Sequence, residues 1–217
     1  MTTEPNTHLI LFRHGHSRAQ QEDRVPGSHE KCAGLSDLGR RQVAALGARL
    51  AATGELTEVG SVYTSLSTRA IETRDLLAEL LPGRYVPECG WCEAHPGEAE
   101  GLSWRDFEQR YPRRGPAPDP FERRIPGGES WAEFFARAGA RLRQVARDHP
   151  GEGVAVFTHG GVIGASFVAL GDVPLAKAGA FTAEAKNTSI TEWRHRGGEW
   201  RLVRYNDTAH LGLGLRQ

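Results

Sequence analysis

The stretch Leu9-Ile10-Leu11-Phe12-Arg13-His14-Gly15 decides the reading of this chain. Four consecutive apolar residues predict a short buried strand, and the glycine behind them lets the backbone turn tightly. An imidazole and a guanidinium therefore stand side by side at the carboxyl end of a strand, where open α/β sheets hold their ligands. A fixed arginine repels a metal ion, which makes His14 a poor metal ligand. The same neighbour disfavours imidazolium and keeps the ring neutral, while arginine binds phosphate oxygens in bidentate fashion. The pair is suited to nucleophilic attack on a phosphoryl group.

The rest of the chain alternates strands with helices. Ser36-Asp37 caps a helix on which Val43, Leu46 and Leu50 recur at helical spacing, and Gly54 ends it. Val59–Thr64 reads as a second strand, and a helix is expected from about Thr68 to Leu81, stopped by Pro82-Gly83. Arg84–Glu88 reads as a short third strand. From Glu93 to Gly128 there is little periodicity beyond a helix near Trp104–Tyr111, and five prolines from Pro112 to Pro126 stiffen its later part. Gly128–His149 is the clearest helix, with Trp131, Phe134, Phe135, Ala138, Leu142 and Val145 as one apolar stripe. Val154–Thr158 is the strongest buried strand and runs into His159-Gly160-Gly161 and an apolar helix, Val162–Leu170. Two late strands, Ser189–Arg196 and Glu199–Tyr205, form a hairpin about Gly197-Gly198. The expected architecture is a three-layer α/β/α sandwich around a mainly parallel sheet, with residues 1–217 as a single domain.

Composition narrows the function. Basic and acidic residues both number 27, so the net charge is zero, which argues against nucleic acid as a partner. No apolar stretch approaches the roughly 20 residues of a membrane span, and Met1–Thr7 carries no signal-peptide pattern. A cytoplasmic location is expected. Three cysteines, Cys32, Cys89 and Cys92, suggest a reducing compartment. Cys89 and Cys92 have metal-knuckle spacing without a second pair, and read as ordinary thiols near a strand end. His8, His29, His95, His149, His195 and His210 read as structural or exposed, and His16 as either a surface residue or part of a pocket rim. Arg113, Arg114, Arg123 and Arg124 read as a solvated loop that is also within reach of a second anionic group on a substrate. Monomer and homodimer both stay open.

Four segments are placed after strands and converge if those strands are parallel: Arg13-His14-Gly15-His16-Ser17, Thr64 to Ala70, the region of Glu93, and Thr158-His159-Gly160-Gly161. Arg69 begins a helix, where its charge opposes the helix dipole; an anion bound there would relieve the conflict. In these segments the chain resembles the histidine phosphatase superfamily, the phosphoglycerate mutase-like group with an Arg-His-Gly motif. Leu11 to Gly15 is similar to its signature. Ser65, Arg69, Ala70 and Thr73 match its second block, Glu93 with Glu100-Gly101-Leu102 its acidic block, and His159-Gly160-Gly161 its second histidine. Gly128-Glu129-Ser130 and Asn187 to Ile190 resemble two further segments.

The resemblance implies a phosphatase of small phosphomonoesters that works without a cofactor or bound metal. His14 would become phosphorylated. Arg13, Arg69 and His159 would stabilise the transferring group, and Glu93 would protonate the leaving oxygen and then activate water. Ser17, Gln20 and Gly160 complete the expected substrate-binding set, and a cap is expected over about 93–127. Glu98 and Glu100 compete with Glu93 for the acid's role; only the family spacing selects Glu93. Departures from the family pattern are His16 for Glu, Gln20 for Asn, Ala99 for Trp, and Ala94-His95-Pro96 where glycolytic mutases carry Arg-His-Tyr. They bear on substrate identity and weigh against mutase activity. The alternatives are mutase-type transfer, a phosphate-recognising module without catalysis, and a metallohydrolase built on His14 and His16, which Arg13 and Arg69 oppose.

Overall fold

The computed structural model of the chain describes residues 6–113, 119–175 and 183–215. Its strands are β1 (Thr7–Arg13), β2 (Val59–Thr64), β3 (Arg84–Pro87), β4 (Gly153–Thr158), β5 (Ile190–Arg196) and β6 (Glu199–Asp207). Its helices are α1 (Arg18–Gln21), α2 (Asp37–Thr53), α3 (Thr68–Asp75), α4 (Trp104–Arg110), α5 (Trp131–Asp148) and α6 (Gly160–Ala169). The strands form one sheet in the order β3-β2-β4-β1-β5-β6. The first four in that order are parallel, and the β5–β6 hairpin adds antiparallel to β1. Gly197 and Gly198, with φ of 61° and 79°, make the two-residue turn that a right-twisted hairpin favours.

The continuous apolar runs of β1 and β4 exist because both faces of the sheet are covered. Leu9, Leu11, Val154 and Val156 pack with Phe134, Leu142 and Ile163 of α5 and α6. Ile10, Phe12, Ala155 and Phe157 pack with Val43, Leu46 and Leu50 of α2. Phe12 and Phe157 stack across the central strand pair at 4.9 Å. Ser36 caps α2 by accepting from the Gly39 amide, and Gly54 ends it at φ 64°. Among the described residues no helix is long and apolar enough to cross a membrane.

Two local expectations are corrected. The helix expected over Thr68–Leu81 stops at Asp75 and is followed by a 3₁₀ turn at Ala78–Leu80. Leu76 and Leu80 share one helical face while Leu77 lies about 100° away from Leu76. The tighter turn buries Leu77 and Leu81 and leaves Leu76 half exposed. In α5, Trp131 lies at the end of the predicted stripe but is 51% exposed. It sits at the first helical position, next to the Ser130–Glu133 capping box, and packs only its edge on Phe134 and Phe135.

Candidate active site

Sheet register brings the sequence segments together. Arg13 pairs with Thr158 and Thr64 with Phe157, so β1, β4 and β2 end at one edge. The His14 amide donates to Thr158 O at 3.0 Å and the Ser65 amide to Phe157 O at 3.0 Å. Strand β3 ends beside Thr64 and delivers the segment carrying Glu93, which Thr158 Oγ1 anchors by donating to Trp91 O at 2.7 Å. The edge bounds a cleft of about 400 Å³ lined by Arg13, His14, Ser17, Gln20, Arg69, Glu93 and Gly160, with Arg24, Trp104 and Glu184 also on its walls. That volume suits a small metabolite.

The hydrogen bonds assign the ring tautomers. His14 Nδ1 lies 2.7 Å from Gly15 O, so Nδ1 carries the proton and donates. That leaves the Nε2 lone pair facing the site, where Arg69 Nε donates to it at 3.1 Å. His159 Nδ1 accepts from the other arm of the same guanidinium at 3.1 Å, and its Nε2–H donates to Ser65 Oγ at 2.7 Å. Ser65 Oγ also accepts from the Ser67 amide and points on to Cys92 Sγ. Arg69 thus bridges two buried imidazoles whose ring centres are 5.1 Å apart, and its remaining nitrogen reaches Gly27 O and Cys32 Sγ. Arg13 is held through Ala185 O, but its buried Nε has no partner among the described residues, leaving a donor beside the cleft.

Burial, then Arg69 and Arg13, hold His14 well below the ordinary imidazole value of 6.5. His159 is held down by burial, Arg69, His14 and Arg13. Both rings are neutral at neutral pH, the form a nucleophilic nitrogen requires. An NMR titration of the free protein is expected to place the His14 midpoint below pH 6.5, with the ring neutral above it. A midpoint at or above 6.5 contradicts the neutral-ring reading.

The three acidic residues separate clearly. The Glu93 carboxylate lines the cleft, where Oε2 accepts from the Gly161 amide at 2.9 Å and Oε1 from the Ala94 amide at 3.1 Å. A Cβ at 161 would stand 2.0 Å from Glu93 Oε1, so any other residue there displaces the carboxylate. Glu98 is exposed beside Tyr111 and Arg110. Glu100 ties down a loop through Ser28 and Lys31.

Ser17 and Gln20 form a capping box at α1, and Gln20 Nε2 donates to Asn187 Oδ1 at 3.1 Å. Asn187 in turn donates to His14 O at 3.0 Å and so props the His14 backbone from behind. His159 lies beneath the cleft wall and is fully buried.

His16 is neither surface nor rim: it is buried, with Nδ1 2.8 Å from Ser36 Oγ and its amide on Gln42, and it helps lock β1 to α2. Most of the other histidines have specific partners: His8 with Glu192, His149 with Tyr63 and Glu152, His210 with Thr188, and His29 and His95 both with Cys89. Cys89 and Cys92 lie in side-chain contact as two thiols, and Cys92 Sγ also accepts from the Leu66 amide. Arg123 and Arg124 pair with Glu133 and Glu108 and do not line the cleft; Arg114 lies outside the described residues. Arg24 and Trp104 line the cleft without a local signal in the sequence.

A parallel strand edge with two neutral imidazoles on one guanidinium defines a phosphoryl-handling α/β protein. A family model for the histidine phosphatase superfamily (branch 1) matches residues 9–208, and the chain belongs to that family. The metal-independent phosphoserine phosphatase of Arabidopsis thaliana is 29% identical over 212 residues, covering 94% of this chain and 83% of its own length. Phosphoserine phosphatase 1 of Hydrogenobacter thermophilus is 27% identical over 206 residues, 94% of each chain. Among solved structures, Bacillus stearothermophilus YhfR matches with a TM-score of 0.76 and 28% identity over 94% of this chain and 98% of its own. A mycobacterial glucosyl-3-phosphoglycerate phosphatase with VO3 matches with a TM-score of 0.73 and 25% identity, over 92% and 98%. The chain is a phosphatase of this superfamily.

Proposed function

We propose that the protein hydrolyses small phosphomonoesters in two steps through a phosphohistidine at His14. The observation that carries this is the unprotonated Nε2 of His14, fixed toward the cleft by the Nδ1–H bond to Gly15 O and accepting only from Arg69 Nε among the described residues. Nε2 attacks phosphorus in line, the P–O bond to the alcohol breaks, and Glu93 gives that oxygen its proton. Glu93 then takes a proton from water as water attacks the phosphohistidine, releasing inorganic phosphate and free His14. Arg69 and Arg13 meet charge on the equatorial oxygens, the positioning-plus-electrostatics mode of phosphoryl transfer. His159 holds Arg69 in place and contributes to the same oxygens once the guanidinium shifts onto the phosphoryl group. Ser17, Gln20 and Gly160 shape the binding surface, and a segment of about 93–127, of which 114–118 lie outside the described residues, acts as the cap, to which Trp104 belongs.

Phosphoserine leads the candidate substrates. Two relatives carry that activity in their names. The cleft walls also offer Arg24 for a carboxylate and Glu184 for an ammonium. Free thiols at Cys32, Cys89 and Cys92 fit a cytoplasmic enzyme.

The site supplies its cations as side chains. EDTA-treated protein should therefore keep most of its activity on p-nitrophenyl phosphate and be inhibited by vanadate. In a panel of metabolite phosphates, phosphoserine should give the highest kcat/KM. Activity lost on chelation and restored by a divalent ion overturns the mechanism; a sugar phosphate preferred over phosphoserine overturns only the substrate.

A further inference from the structure

A second cluster, outside the phosphoryl cleft, carries chemistry that hydrolysis does not use. His29 comes from the loop between α1 and α2; Cys89 and His95 come from the segment after β3. Their donor atoms all lie within 4.8 Å of one another, and all three residues are partly exposed. His29 Nε2 is 3.4 Å from Cys89 Sγ, and His95 Nε2 is 3.3 Å from it on another side. A tetrahedral zinc ion, with Zn–S near 2.3 Å and Zn–N near 2.0 Å, sets an S···N separation of about 3.5 Å. The side chains already stand at that spacing.

Hydrogen bonding alone uses this arrangement poorly. A thiol has one proton, so Cys89 can donate to only one of the two rings, and the other contact must be a weak N–H···S bond. His29 also reaches the sulfur from a backbone at φ 45°, a conformation that non-glycine residues rarely adopt. Behind His95, the Glu129 carboxylate lies 3.7 Å from Nδ1. That carboxylate is itself fixed by the His95 amide at 2.9 Å and by Arg137 at 2.7 Å. A carboxylate behind the non-ligating nitrogen is how metal-bound histidines are commonly oriented.

We propose that His29, Cys89 and His95 form a site for one divalent transition-metal ion of the zinc type, with solvent in the fourth position. One thiolate and two imidazoles select such an ion over magnesium or calcium. On binding, Cys89 forms an S–metal bond and its proton passes to solvent. The ion does not enter the phosphoryl chemistry. It fastens the loop whose Gly27 carbonyl holds Arg69 to the segment whose carbonyls at Cys89, Cys92 and Glu93 all hang on Arg137. Both flanks of the cleft are then tied at one point.

The test uses metal-free full-length protein titrated with Co²⁺ and Zn²⁺. One ion per chain is expected, with a near-ultraviolet thiolate-to-cobalt charge-transfer band, visible absorption of tetrahedral intensity, and a raised unfolding temperature with zinc. Cys89→Ser should remove the charge-transfer band, and His95→Gln should weaken zinc binding by roughly 10–100-fold. Cys92→Ser should keep the band. Near-ultraviolet circular dichroism checks that each variant is folded, and His29→Gln replaces any variant that is not. Absence of the band in the wild-type protein overturns the proposal. So does a band that survives Cys89→Ser and disappears in Cys92→Ser.

Discussion

His14→Ala removes turnover on every phosphomonoester, a fall of roughly 10⁴-fold or more, as expected when the nucleophile of a covalent mechanism is deleted. Among the described residues, the nearby thiols and His159 are engaged elsewhere. The thiol of Cys92 is turned inward to Leu66, and that of Cys32 is spent on Arg69. His159 presents its lone pair to Arg69 from beneath the wall. The acid-labile, base-stable phosphoenzyme expected of the wild-type protein should be absent from His14→Ala. His159→Ala should behave differently. It takes an acceptor from Arg69 and a donor from Ser65, so the guanidinium loses its setting while the nucleophile remains. Turnover should fall by on the order of 10²–10³, the usual cost of losing one electrostatic contact to a developing charge, with slow phosphorylation of His14 retained. Acid-quench and alkaline-quench experiments with labelled substrate read both variants. Label retained at wild-type level in His14→Ala shows that the nucleophile is a different residue.

The parts of this site that were legible in the sequence are those set by local rules. A continuous apolar run ends in Arg13-His14-Gly15, and another ends in Thr158-His159-Gly160-Gly161; parallel pairing of β1 with β4 then makes the two histidines neighbours. The same logic places Ser65 and Arg69 after β2. What the sequence hid depends on contacts between distant segments. His16 sits two residues from His14 and looked equally available, but α2 brings Ser36 and Gln42 against it and buries it. Asn187 supports the His14 backbone from 173 residues away. The cluster at Cys89 needs His29 from another loop, which no spacing rule connects to it. Gly161 belongs to the second-histidine motif, but the use of its missing side chain, room for the Glu93 carboxylate, depends on a contact 68 residues away in sequence. The early end of α3 was missed because its apolar residues fit two incompatible faces, and burial of Leu77 and Leu81 decided between them.

Glu93→Gln should separate substrates by their leaving groups. An alkoxide is a poor leaving group and needs a proton in the transition state, whereas p-nitrophenolate hardly does. General acid–base catalysis typically contributes on the order of 10²–10⁴-fold, so alkyl phosphates should lose about that much in kcat/KM. The phosphorylation step with p-nitrophenyl phosphate should change little. Hydrolysis of the phosphohistidine still needs a base, and its slowing should appear as a burst of nitrophenol followed by a low steady rate. Glutamine keeps the shape of the side chain, but it can accept only one of the two amide bonds, from Gly161 and Ala94, that the carboxylate now holds. Gly161→Ala is the complementary variant. Its methyl group would meet Glu93 Oε1 at 2.0 Å, so the carboxylate must move while remaining ionisable. The same dependence on leaving group is expected, which ties the effect to the position of the carboxylate and not merely to its presence. Glu98→Gln is the control, because Glu98 is exposed and makes only long contacts with Tyr111 and Arg110. Glu100→Gln loosens a loop at Ser28 and Lys31 but should leave the leaving-group dependence of the wild type. A leaving-group-dependent loss in Glu98→Gln or Glu100→Gln, with none in Glu93→Gln, reassigns the acid.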